Sequence, residues 1–212
     1  MGAASKPWSR AFALLLIGAG TLLLAALWLG PLAGAGRRSF TAHMVLHLAV
    51  VAVAGPLIAF GLLQAHAKRR RLRAPLLAGV AVSFVEMGVV WGWHAPGLHQ
   101  AAALHGGVFV AQQGSFLLTA IALWLVSFAD RSATASGVGL FAMLLTFMHM
   151  TMLGTGLAMS PELIYPPGVC QGGLSPLEDQ RLGGVLMASV GATPYLVGGI
   201  VLAARLISRG GP

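Results

Sequence analysis

The chain has 212 residues, of which 57% are hydrophobic and only 8% are charged, whereas soluble domains carry about 25% charged residues. So few charges cannot cover a water-facing surface, which excludes a soluble globular domain and a disordered chain. The net charge of +8 would suit a nucleic acid, but the basic residues fall in short runs between apolar stretches. There the expected partner is membrane lipid, with its anionic headgroups, and no nucleic-acid binding is expected.

In chain order, uncharged apolar stretches run near Phe12 to Leu32, Phe40 to Leu63, Pro75 to Trp93, Leu104 to Phe128, Ala135 to Met159 and Leu182 to Leu206. Each is long enough to cross a bilayer, and each is continuously apolar instead of alternating, as a barrel strand would be. The expected fold is therefore all-α: a polytopic bundle of about six transmembrane helices, with residues 1–212 forming one membrane domain. Lys6 and Arg10 ahead of the first stretch give it a signal-peptide look, but its length argues for a span. The glycines are scattered through the spans, where small residues let helices pack closely.

Orientation follows from lysine and arginine. Six spans put Lys6, Arg10, Lys68, Arg69, Arg70, Arg71, Arg73, Arg131, Arg205 and Arg209 on one side, and Arg37, Arg38 and Arg181 on the other. Basic loops are retained in the cytoplasm, so both termini are expected inside, in a multi-pass protein of the cell inner membrane.

That topology sorts the histidines. His43 and His47 fall in the outer half of the second stretch, His94, His99 and His105 on or near the next outer connection, and His149 towards the outer half of the fifth. Only His66 faces the cytoplasm. His43 and His47 are four apart, so one helix face carries both, a spacing used when two imidazoles bind one metal ion. A further ligand is available from His94 or His149, and thioethers from Met44, Met148, Met150 and Met152. Imidazole with thioether suits copper, especially Cu(I), better than magnesium or calcium. For any one histidine the alternative is a hydrogen bond between helices; the pair with a third member favours the metal.

Glu86 is the one carboxylate well inside a span. A buried charge there must be protonated, paired or lining a polar cavity, so it is expected to be proton-linked or to orient a ligating histidine, the alternative being a protonated side chain bonded to a neighbouring helix. His99 and His105 are expected as interfacial loop residues. The connection from Pro161 to Arg181 is the longest and reads as an ordered cap. Cys170, the sole cysteine, excludes an intramolecular disulfide and CxxC redox or zinc chemistry, and could offer a thiolate to Cu(I).

Four motifs occur in order: His43-Met44-x-x-His47, Trp93-His94-x-Pro96, Leu163-Ile164-Tyr165-Pro166, and Leu177-Glu178-Asp179-Gln180-x-x-Gly183-Gly184. Together they resemble the multispan CtaG family of cytochrome c oxidase assembly factors, over roughly Phe40 to Leu206. The resemblance implies a helical inner-membrane protein that serves maturation of a haem-copper oxidase at the copper centre of its catalytic subunit. It implies His43, His47 and His94 as metal ligands, with Asp179 as an accessory candidate on the outer cap. One departure stands out: the family commonly shows a Glu-His pair on the fourth span, where this chain has Gln112-Gln113. His149 is then an additional candidate ligand.

The expected function is thus a non-enzymatic assembly factor that binds copper at the periplasmic face and aids its insertion into an oxidase subunit. Metal candidates are His43, His47, His94 and His149, with Met44, Glu86, Met152 and Asp179 in accessory roles. A copper transport or resistance protein would use the same ligands but needs a polar path to the cytoplasm. A haem-binding electron-transfer bundle would clamp its cofactor between histidines. No serine, cysteine or paired-carboxylate constellation supports a hydrolase.

Overall fold

In hydrocarbon a backbone has no water to bond, so an apolar run of some twenty residues must satisfy its own amides as a helix. A computed structural model describes residues 7–66, 76–165 and 174–208. Among these residues six helices are long and apolar enough to cross a membrane. The basic cluster Lys68 to Arg73 and Cys170 lie outside the described residues.

The first span is α1, Pro7–Leu29. It stops earlier than hydropathy alone suggests because Pro31 has no amide to continue the ladder; the chain breaks at Gly30 and restarts as the short α2, Pro31–Gly36. The second span joins α3, Phe40–Leu48, to α4, Gly55–Ala65, through a wider π-helical turn at Ala49–Ala54. The third is α5, Leu76–His94, followed by α6, Pro96–Leu104, and then by the fourth span α7, Gly106–Phe128. The fifth is α8, Ala133–Met159. The sixth joins α9, Pro176–Leu186, to α10, Thr193–Ile207, through a second π-helical turn at Met187–Gly191.

Both π turns have the same cause. A proline inside a helix removes one amide and pushes against the carbonyl four residues back. Pro56 meets Ala52 and Pro194 meets Val190 in this way, and each of these carbonyls lies within a π segment. The extra residue of the wide turn absorbs the clash without ending the span.

Two departures from the sequence expectation bear on function. The connection between the third and fourth spans is a helix, α6, so His99 is helical. The sixth span begins at Pro176, not near Leu182, because Ser175 and Glu178 form a reciprocal capping box that starts α9 within the polar stretch. Hydropathy misses that turn since Glu178, Asp179, Gln180 and Arg181 are polar.

The second span is the most buried of the six and the first the least. α1 lies on α4, α4 also packs on α7, and α5 packs on α7 and α8. α8 supports both α9 and α10, while α9 closes against α3. Close approach of α8 and α9 depends on Gly154 and Gly184: a Cβ on Gly184 would stand 2.6 Å from the Gly154 carbonyl oxygen, and one on Gly154 would stand 2.5 Å from the Ala188 nitrogen. An alanine at either site forces the helices apart.

Candidate metal centre

The starts of α3 and α9, the end of α5, α6 and the segment 160–165 gather at one end of the bundle, here termed the cap end. His43 and His47 lie one turn apart on α3, and His94 is the last residue of α5. The bundle therefore brings these three expected ligands together. Their ring centroids are 6.2 Å (His43 to His47), 5.8 Å (His43 to His94) and 5.4 Å (His47 to His94) apart. Exposures of 2%, 0% and 4% seal them from solvent.

Buried polar atoms are nearly always paired, yet here His43 Nε2, both nitrogens of His47 and His94 Nε2 have no hydrogen-bond partner. His94 Nδ1 donates to the Val90 carbonyl at 2.6 Å. That bond fixes the tautomer and leaves Nε2 with its lone pair. Phe116 packs on His47 at 4.1 Å and keeps the far side of the cluster apolar.

Two imidazoles on one tetrahedral ion, with metal–nitrogen bonds of 2.0–2.1 Å, have centroids about 5 Å apart. The three rings stand within about 1 Å of that spacing. Among the described residues, however, no three His, Cys, Asp or Glu side chains converge as a closed metal shell. An ion would thus require ring rotation. The donor set itself fits a borderline or soft ion: neutral imidazoles, with no carboxylate among them.

His149 has a different setting. Its Nε2 shares a 2.8 Å hydrogen bond with Glu86 Oε2, which also accepts from Thr146 Oγ1 at 3.3 Å. Both members of this pair are buried. Glu86 lies eight residues below His94, about 12 Å along the helix, and so it orients His149 and not the upper cluster. His149 Nδ1 has no partner and lies within electrostatic range of His47.

The accessory candidates separate. Asp179 caps α3: its carboxylate accepts from Ser39 Oγ at 2.8 Å, from the Phe40 amide at 2.6 Å and from the Thr41 amide at 3.1 Å. The Asp179 carbonyl accepts from Thr41 Oγ1 at 2.9 Å. These bonds fix the start of the helix that carries His43 and His47. Met44 is buried against α9, where a Cβ on Gly183 would meet its Cγ at 3.1 Å. Met150 is buried as well, whereas Met148 and Met152 are exposed on the outside of α8.

Two further motif residues build the cap. Gln180 Oε1 accepts from the Ile164 amide at 2.7 Å and holds segment 160–165 down on α9. Tyr165 stacks on Phe40 at 4.5 Å, and its hydroxyl donates to the His94 carbonyl at 2.8 Å. Burial pushes the Tyr165 phenol above its ordinary pKa, so it stays a donor. The Leu-Ile-Tyr and Asp-Gln motifs thus meet over the histidines.

Gln112 and Gln113 are buried on α7, where Gln113 Nε2 donates to Gln112 Oε1 at 3.3 Å. Gln112 Nε2 and Gln113 Oε1 have no partner. Gln112 lies one turn from Phe116 on the same face, beside the cluster.

Sequence reasoning missed His99. It is helical, part-buried and edge-on to His43, with centroids 4.7 Å apart and planes at 88°. Its Nδ1 has no partner. Burial, and secondarily the neighbouring His94, lower its pKa to about 4, so the ring is neutral near pH 7. Its spacing of five from His94 belongs to no single helix face, because the Ala95–Pro96 break redirects the chain; no periodic signal could have found it. His105 is exposed at the start of α7, and His66 is exposed at the end of α4.

No curated protein and no solved structure matches the chain. Residues 2–209, nearly the whole chain, match the family described as cytochrome c oxidase caa3 assembly factor (Caa3_CtaG). With six helices long and apolar enough to cross a membrane among its described residues, and that match over nearly its full length, the chain belongs to the cytochrome c oxidase caa3 assembly factor family.

Proposed function

We propose that this assembly factor carries copper, as Cu(I), in the His43–His47–His94 cluster and passes it to the catalytic subunit of a haem-copper oxidase. The observation that carries the reading is the set of four sealed imidazole nitrogens without partners. Leaving such atoms unbonded costs about 1–3 kcal/mol each, a cost that a bound cation removes for one nitrogen of each ring. The role is non-catalytic: among the described residues the cluster has imidazoles but no neighbouring nucleophile or carboxylate. The cap end faces the periplasm of the inner membrane, since ten of the thirteen basic residues fall on the other side.

Two features favour holding copper over transporting it or binding haem. Among the described residues Phe60, Trp124, Phe128 and Tyr195 pack ring against ring towards the other end of the bundle, an aromatic plug that disfavours a polar path there. The cleft above the cluster holds about 160 Å³, well below the roughly 300–1,000 Å³ of sites for larger ligands.

The test is the copper content of purified protein alongside oxidase activity in cells. Wild type should hold copper, and His43→Ala with His47→Ala should lose it together with oxidase activity, while oxidase polypeptides persist. Full copper and full activity in the double variant would make the pair structural. A Soret band in the purified protein would turn the reading to haem. Reporter fusions at Lys68 to Arg73 should read cytoplasmic, and the opposite result would reverse the orientation.

A further inference from the structure

The three histidines are sealed, so an ion that reaches them has to pass a group that meets both solvent and cluster. At the cap end a cleft of about 160 Å³ is lined by Arg37, Ser39, Phe40, His99, Leu163 and Tyr165 among others. His99 is the histidine that both lines this cleft and touches the cluster: it stands 4.7 Å from His43, 5.3 Å from Phe40 and 4.6 Å from Tyr165, centroid to centroid. Beside it the Phe40 and Tyr165 rings stack at 4.5 Å and also line the cleft. Resting on the copper reading above, we propose that His99 is the acquisition ligand, which takes the metal ion from its carrier at the cleft and hands it to His43.

Three observations support that role. The side chain has an unpaired buried nitrogen, Nδ1, so its place in the cap is not explained by a hydrogen bond. Its helix is anchored: Arg37 Nε donates to the Ala103 carbonyl at 2.8 Å and Arg37 Nη2 to the Leu104 carbonyl at 3.1 Å, which satisfies the end of α6. A ring on an anchored helix can turn about its own χ angles without moving the backbone. The mouth also holds Arg37 and Arg38 against the one carboxylate Asp179, a net positive lining that favours a cation delivered on an anionic carrier. The exchange is a ligand substitution at constant oxidation state. A nitrogen lone pair of His99 forms a bond to Cu(I) as a carrier ligand leaves with its own electron pair; a His43 nitrogen then bonds the ion as the His99 bond breaks.

The experiment mixes the full-length protein in lipid nanodiscs with Cu(I) held by the anionic chromophoric chelator bicinchoninate and follows the loss of chelator colour. His99→Gln should slow uptake about tenfold while leaving the copper bound at equilibrium unchanged. An unchanged rate overturns the proposal, and so does a parallel loss of rate and final occupancy, which would make His99 a resident ligand. Modification by diethylpyrocarbonate in the absence of copper, mapped by mass spectrometry, gives a second measurement on unaltered protein. His99 should react faster than His43, His47 and His94; equal protection of all four overturns the proposal. Wild-type protein that takes up no Cu(I) overturns the copper reading and this inference with it, whereas rapid uptake by His99→Gln overturns the inference alone.

Discussion

Two buried histidine settings in one bundle differ in how their polar atoms are satisfied. Around His149 the carboxylate of Glu86 supplies a partner at 2.8 Å, and Thr146 adds a further bond. At His43, His47 and His94, among the described residues, no carboxylate bonds a ring and four nitrogens have no partner. Burial of a polar group is tolerable only when something bonds it. The lower site is completed largely by the protein itself and the upper one is not, so the upper site is where an external cation changes most.

The largest effect expected from that contrast is on affinity. His94→Ala should weaken Cu(I) binding by at least about 100-fold, since the adjacent shell alone is worth 10–100-fold, as read by competition against a Cu(I) chelator. A change below tenfold would erase the distinction between the two sites. Next comes Glu86→Ala, which should lower thermal stability by about 1–3 kcal/mol by leaving the His149 nitrogen unpaired, with copper affinity almost unchanged. Strong copper loss in that variant would make the lower pair part of the metal site. Asp179→Ala is the smallest: loss of its capping bonds should cost about 1 kcal/mol, with a moderate fall in copper affinity as α3 shifts. Asp179→Asn, which keeps acceptor capacity, should recover part of both, and failure to do so would point to a role for the charge itself.

The fold was largely legible because a span must be apolar over its whole length, and the six expected stretches overlap the six spans. The errors sit where that rule has no force. Pro31 ends α1 early through a missing amide, and the Ser175–Glu178 box starts α9 in a polar stretch that hydropathy discounts. The closeness of His43 and His47 was legible through their i, i+4 spacing, which holds because a helix sets both on one face. What pairs with Glu86, and what occupies Asp179, depended on contacts across 63 and about 140 residues of sequence, which no local pattern encodes. His99 reached the cluster only because α6 folds back over it.

The central claim, that the upper cluster holds the metal, is tested most directly by X-ray absorption on the Cu(I)-loaded protein. The account predicts a shell of two to three nitrogens at about 2.0 Å with imidazole outer-shell scattering, reduced by one in His47→Ala. A shell dominated by sulfur, or one unchanged in His47→Ala, would contradict it.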